Sequence, residues 1–221
     1  MNQKLTLFGF LVTAILFIFV IPTEHVWLRL CFKLLPMFFI LFYVYSQPSF
    51  ISKMYKSLIL TGLIFCTLGD AFIIFSFTLG LVAFLIGHLF FIAAFLKHRH
   101  HSWNSTLSII LFVIYAGFFG KHLITALLAN SEDSLVIPVL FYIVVITIMG
   151  WTATMTHNLY AAVGSILFVL SDSILAYSRF VATIPFDDQW IMLTYYGAQF
   201  FIAYSVRNYR FNRKRKRYNE R

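Results

Sequence analysis

The sequence predicts an all-α, polytopic membrane protein, a bundle of eight transmembrane helices with both termini in the cytoplasm. Three observations lead there. Of 221 residues, 61% are apolar and 11% charged, against roughly 45–50% and 25% in an ordinary soluble domain. That leaves too little polar surface to cover a soluble globule. The apolar residues gather in eight runs, and about 20 such residues cross a hydrocarbon core. The basic residues, finally, segregate to one side of the count those runs impose. The two cysteines, Cys31 and Cys66, lie in apolar runs, which excludes a disulfide-stapled fold and makes both read as small buried hydrophobes.

The expected spans are 5–21, 30–45, 57–75, 78–96, 105–128, 135–155, 159–180 and 190–206. Turn chemistry separates them: Pro22-Thr23, Ser46-Gln47-Pro48-Ser49, Asn130-Ser131-Glu132-Asp133, and Pro185 with Asp187-Asp188. The first span resembles a signal peptide in its Lys4 flank, but no small-residue cleavage site precedes Pro22, so it reads as a mature helix. The second carries Arg29 and Lys33 at its start and Pro36 soon after, and is the weakest of the eight. Residues 1–206 form one membrane domain in this reading, and 207–221 a basic cytoplasmic tail.

Charge supports the count. With eight spans, Lys4, Lys53, Lys56, Lys97, Arg99 and the eight basic residues from 207 to 221 share one side, thirteen in all. The opposite side holds Arg29, Lys33 and Arg179 together with Glu24, Glu132, Asp133, Asp187 and Asp188. The positive-inside rule places the termini in the cytoplasm. The tail accounts for most of the net charge of +9. Because it follows a membrane helix, it reads as a topology anchor or a contact for anionic lipid rather than for nucleic acid. The stretch Lys97-His98-Arg99-His100-His101 resembles a metal tract, but its interleaved cations disfavour another cation. No metal or other cofactor is expected.

Only two carboxylates fall inside the spans, Asp70 in the third and Asp172 in the seventh. An aspartate at a helix centre costs about 2.5–3.5 kcal/mol on insertion scales, which marks each as a functional candidate. The bland alternative is an aspartate paired with a cation or hydroxyl to lock helix packing. Counted from the outer helix ends, their depths differ by about 4–5 Å, so both can face one site. Leu81, Phe84, His88, Phe91 and Phe95 recur at three- and four-residue spacing, placing His88 on an aromatic face as either packing or functional histidine. Gly80 and Gly87 offer close helix approach. In the seventh span Ser165, Phe168, Asp172, Leu175 and Arg179 share a face. Arg179 lies about 10 Å outward of Asp172 along the axis, suited to a phosphate at a cavity mouth or to interfacial snorkelling. Tyr195 and Gln199, one turn apart, add neutral hydrogen bonding.

Other chemistries lack their residues. There is no phosphate-binding loop, dinucleotide fingerprint, His-Glu-x-x-His or nucleophile elbow. Thr67-Leu68-Gly69-Asp70 lacks the first glycine that an intramembrane aspartyl protease needs, and Asp172 follows Ser171 rather than Tyr. An intramembrane zinc hydrolase would need several histidines within the spans, and His88 stands alone there.

Several runs together resemble the YhhN-like family, which includes the lysoplasmalogenases: Leu68-Gly69-Asp70, the stretch from Gly80 to Gly87-His88, Leu167-Phe168-Val169-Leu170-Ser171-Asp172-Ser173, and Tyr196-Gly197-Ala198-Gln199. Lys33-Leu34-Leu35-Pro36-Met37 resembles the family's Lys-Pro start of the second helix, with two residues between Lys and Pro. The likeness runs from the second span to the last and keeps the motif order. It implies hydrolysis of the vinyl ether of a lysoplasmalogen to a fatty aldehyde and a glycerophospho-alcohol. The expected partners are therefore that lysophospholipid and membrane lipids, and nothing assigns an oligomeric state. The resemblance implies an integral multi-pass location, in the cell membrane of a bacterium or the endoplasmic reticulum of a eukaryote.

Vinyl ethers cleave by carbon protonation to an oxocarbenium ion that water captures, a cation related to that of glycoside hydrolysis. One protonated and one ionised aspartate suit this, and two interacting carboxyls titrate as one unit. Asp70 is expected as acid and Asp172 as base, with His88 an orienting donor or relay. Tyr195 and Gln199 would hold the water or ether oxygen, while Phe84, Ser171, Arg179 and Lys33 contact substrate. Two rivals use the same residues: a proton- or cation-coupled transporter or lipid-binding protein, and a hydrolase of another single-chain ether or ester lipid. The topology is directly testable. Reporters fused at the C-terminus and in the 130–133 loop should label opposite sides of the membrane, and same-side labelling would remove one span from the count.

Overall fold

In the computed structural model the chain is described over residues 3–22, 24–48, 52–100 and 103–219, with side chains to Arg207 except 104–106. His101 and the tail side chains beyond Arg207 fall outside that description. The described residues fold into eight helices: α1 (Gln3–Phe19), α2 (Val26–Tyr45), α3 (Lys53–Phe72), α4 (Phe77–Lys97), α5 (Trp103–Ala129), α6 (Asp133–Thr154), α7 (Leu159–Phe180) and α8 (Asp187–Asn219). Local chemistry sets several starts. Ser52, Ser76 and Asn158 cap α3, α4 and α7 by accepting hydrogen bonds from backbone N–H groups of the first turn.

Six helices, α2 to α7, are long and apolar enough to cross a bilayer. The other two differ from expectation. α1 has 17 residues, about 25 Å of helix, slightly under the roughly 30 Å hydrocarbon core. α8 continues through the basic segment to Asn219 instead of ending at 206, because no proline or glycine interrupts 207–219. α2 begins at Val26, four residues before the expected start, and runs unbroken past Pro36. α3 stops at Phe72 rather than 75, since Ser76 turns the chain and caps α4. Cys66 is buried as expected, but Cys31 is exposed. Its α2 position lies outside the packed core, where apolar exposure is natural in a membrane protein.

Sequential helices pack as antiparallel pairs, α1 with α2, α3 with α4 and α7 with α8, while α6 bridges α4 and α5 and α8 also touches α1, α2 and α3. The tight pairs depend on small residues. Gly87 lies 3.0 Å, measured from an ideal Cβ, from both the Cys66 thiol and the Gly62 carbonyl of α3, the close approach expected of it. Gly164 brings α7 equally close to the α8 backbone at Ala198 and Ile202. α5 stands outermost, and Leu111, Ile114 and Phe118 on it are mostly exposed, as a lipid-facing wall requires. The core lies among α3, α4, α7 and α8, around the fully buried Phe91, His88 and Phe168.

Two glycines test this packing in opposite directions. A Cβ on Gly164 would sit 2.8 Å from Ile202 N and 2.9 Å from Ala198 O, whereas one on Gly117 meets nothing within 4 Å. Gly164→Ala should destabilise the protein by about 1–3 kcal/mol by overpacking. Gly117→Ala should stabilise α5 by up to about 1 kcal/mol through helix propensity. Thermal unfolding in detergent compares the two.

Candidate functional site

Asp70, Asp172 and the side chains that bond them lie in the half of the bundle nearer the loops after α1, α3, α5 and α7. Asp70 sits near the end of α3 with 2% of its side chain exposed. Burial of a carboxylate demands partners, and two helices supply them. Lys33 Nζ of α2 lies 3.2 Å from Asp70 Oδ1, and the Tyr195 hydroxyl of α8 donates to Oδ2 at 2.6 Å. α8 also grips α2 through the neighbouring tyrosine, whose hydroxyl donates to the Lys33 carbonyl at 2.8 Å. Lys33 thus spends its ammonium on a carboxylate inside the bundle.

Asp172 has a different setting. Its side chain is 18% exposed and lines an apolar cavity bounded by α4, α5, α6 and α7, with Phe77, Leu81, Phe84 and Phe119 among the walls. The Tyr142 hydroxyl of α6 donates to Asp172 Oδ2, and His88 Nε2 lies 3.3 Å from the Tyr142 oxygen and 3.9 Å from Asp172. A phenol has one proton. With it directed at Asp172, the His88 contact requires an Nε2–H donating to the phenol oxygen, which in a neutral ring leaves Nδ1 as an acceptor. Nδ1 is buried and has no partner within the protein.

The two carboxylates share no hydrogen bond. They are joined through rings: Tyr195 packs edge-on against Phe168 at 5.5 Å between centroids, and Phe168 against His88 at 4.5 Å. Phe84 closes the group, at 6.0 Å from Tyr195 and 6.4 Å from Phe168. Six residues expected from sequence therefore gather here: Asp70, Asp172, His88, Tyr195, Phe84 and Lys33. Gln199 is fully buried one turn inward. Arg179 sits at the rim of the cavity, its guanidinium 4.3 Å from the centroid of Phe77 and 5.5 Å from that of Phe180, two rings of the cavity wall. Ser171 departs from the group, for its hydroxyl donates to the Ile191 carbonyl of α8 at 2.9 Å. Among the described residues, no three His, Cys, Asp or Glu side chains group as a metal site.

Sequence reasoning missed Tyr142. A tyrosine in the middle of an apolar span, away from the membrane interface where its hydroxyl meets water, was the available signal. Tyr115 and Ser173 were missed as well. Ser173 Oγ gives its proton to the Val169 carbonyl, so Tyr115 donates to Ser173, tying the outer helix α5 to α7 along the lipid side of the cavity.

Residues 28–206 match the model of the YhhN family. Among curated proteins the chain is similar to Lysoplasmalogenase TMEM86A of Bos taurus, 27% identical over 214 residues that cover 89% of this chain and 86% of that protein. It is 32% identical to Lysoplasmalogenase TMEM86B of Homo sapiens over 69% of this chain and 64% of that one. A lysoplasmalogenase of Mycobacterium bovis is 34% identical over 48% of this chain and 41% of its own. No solved structure matches the chain significantly.

The Lys33–Asp70 pair should behave as one stability unit. Removing one partner of a buried pair strands the other charge and costs about 3–5 kcal/mol. Lys33→Met and Asp70→Asn should each lower thermal stability in that range, and the double variant should lose less than the two combined. Simple additivity of the two losses would show that the groups are not coupled.

Proposed function

The chain belongs to the YhhN family, and from that premise we propose that it is an integral-membrane, lysoplasmalogenase-like hydrolase that cleaves the vinyl ether of a lysoplasmalogen. The observation that carries the reading is the placement of Asp172: a carboxyl group held by a tyrosine, beside a buried histidine, at the wall of a cavity built mostly from rings and aliphatic side chains. An alkenyl chain fits such walls, and its ether then lies near the polar group. Arg179 at the rim suits the phosphate of the head group. In this reading all eight helices cross the membrane, both termini are cytoplasmic, and the site lies in the outer half.

The chemistry follows from the charges. Vinyl ether cleavage begins when an acid delivers a proton to the ether's β-carbon, leaving an oxocarbenium ion. Water then adds to the carbon bonded to oxygen and passes a proton to the carboxylate that the acid left behind, giving a hemiacetal. Collapse breaks the bond to the glycerol oxygen, which takes up a proton, and releases the aldehyde. Asp70 is engaged by an ammonium, so we assign it the ionised role in the pair. Asp172 has no cation beside it and reaches the cavity, so we assign it the acid, the reverse of the sequence-based order. Asp70, held by Lys33 and Tyr195, supplies the fixed negative charge that favours the cation in a medium of low dielectric.

Asn substitutions decide between catalysis and packing. General acid–base groups contribute on the order of 10²–10⁴-fold. Asp172→Asn should lower aldehyde release from lysoplasmalogen by about that factor per folded molecule, and Asp70→Asn, which removes the stabilising charge, by on the order of 10²–10³-fold. The double variant should fall little below either single, because groups acting as one unit are non-additive. Full turnover in a folded single variant would end the dyad mechanism. Proton-coupled flux in proteoliposomes without aldehyde release would replace the hydrolase with a transporter.

A further inference from the structure

Hydrolysis inside a bilayer needs a water molecule delivered to a place built to exclude it. The cavity beside Asp172 is a poor route, since most of its wall is apolar. A different set of groups lies inward of the carboxylates. His88 Nδ1, Ser165 Oγ and both amide atoms of Gln199 are buried and have no hydrogen-bond partner within the protein. All three residues are fully buried. Buried polar atoms in folded proteins are almost always satisfied by protein or by ordered water, so four such atoms on three helices require an explanation.

Their placement supplies it. Each residue lies on, or one turn from, a ring of the cluster between the carboxylates. His88 packs on Phe168 at 4.5 Å between centroids. Ser165 is one turn inward of Phe168 on α7, and Gln199 one turn inward of Tyr195 on α8. Ser165 and Gln199 each follow a residue of the tight α7–α8 contact, where an ideal Cβ on Gly164 would lie 2.9 Å from the Ala198 carbonyl. The thiol of Cys66, one turn inward of Asp70, and the Tyr195 hydroxyl lie within interacting reach of the Gln199 amide. Neither meets it at the geometry of a formed hydrogen bond. The group therefore offers a bare imidazole nitrogen as acceptor, a hydroxyl and a carboxamide that each donate and accept, and a weak thiol. A buried water needs two to four such partners.

We propose that His88 Nδ1, Ser165 and Gln199 enclose an internal water site one helical turn inward of the aspartates, and that this site holds the water that hydrolysis consumes. Its second role rests on the hydrolase reading above, and its existence does not. Water bound there hydrogen-bonds to Nδ1 while Nε2 of the same ring contacts Tyr142 and Asp172. The nucleophile and the alkenyl chain thus reach the carboxylates from different sides. Ser165 and Cys66 acquire a role that neither their positions in apolar helices nor the catalytic assignment gives them.

X-ray hydroxyl-radical footprinting of the full chain in detergent tests this, because radicals form at bound water and oxidise the side chains around it. With rates scaled to intrinsic side-chain reactivity, Cys66, Phe168 and Tyr195 should be labelled several-fold faster than Phe95, which is as fully buried as Cys66 and Phe168. Gln199→Leu should reduce labelling at Cys66 and Tyr195 toward the Phe95 rate. Should that variant not fold, the wild-type comparison alone decides. Labelling of all three no faster than Phe95 in the folded protein would overturn the water site, even if aldehyde release is robust. Fast labelling in a protein that releases no aldehyde would uphold the site and retire the hydrolase reading instead.

Discussion

A carboxylate among apolar helices survives only if something else in the bundle answers its charge, and the answer at Asp70 organises much of this fold. Burying a carboxylate away from water costs on the order of several kcal/mol unless it is paired. Here Lys33 and Tyr195 close on it from α2 and α8, and the hydroxyl of Tyr196 holds the Lys33 carbonyl. One charge thus ties α8 to the consecutive helices α2 and α3. α8 consequently occupies the middle of the bundle, against α1, α2, α3 and α7. The surface ion pair between Arg29 and Asp188, at 2.5 Å, joins α2 and α8 once more at the rim. Being exposed, it contributes on the order of 0–1 kcal/mol.

Asp172 shows what the same residue type does when no cation reaches it. It is stabilised by a phenol and stands at an apolar wall. The two aspartates are chemically distinct for that reason: one has its charge committed to a lysine, the other has a free side toward a cavity. Phe168 keeps them apart. Packed by Phe84, His88 and Tyr195, it lets one site hold an ion pair, a neutral imidazole contact and a hydrocarbon surface without mixing them.

Much of the membrane architecture can be read from residue order. Eight apolar runs separated by turn residues became eight helices, with α7 at the expected bounds and α4 within one residue at each end. The failures have physical causes. Arg29, Lys33 and Pro36 marked the second span as the weakest, but the proline's missing N–H is tolerated inside a helix with packed neighbours, and α2 runs unbroken past it. The basic tail looked like a separate segment, yet helix propagation needs no apolar residue, and α8 runs on. Cys31 and Cys66 looked alike in sequence, and only packing against Gly87 distinguishes the buried one.

By itself, the sequence determined that this protein is helical and built for a bilayer, and that Asp70, Asp172 and His88 are out of place in hydrocarbon. Those conclusions depend on composition and on spacing along one helix, which are local properties. The tertiary structure decided the partners. It gave Lys33 to Asp70 and Tyr142 to Asp172, sent Ser171 to a backbone carbonyl, and buried atoms of His88, Ser165 and Gln199 without a partner. Helix periodicity states which residues share a face, but not which face of another helix meets it. That is set by where the bundle can close around a buried charge, a quantity summed over helices far apart in the chain.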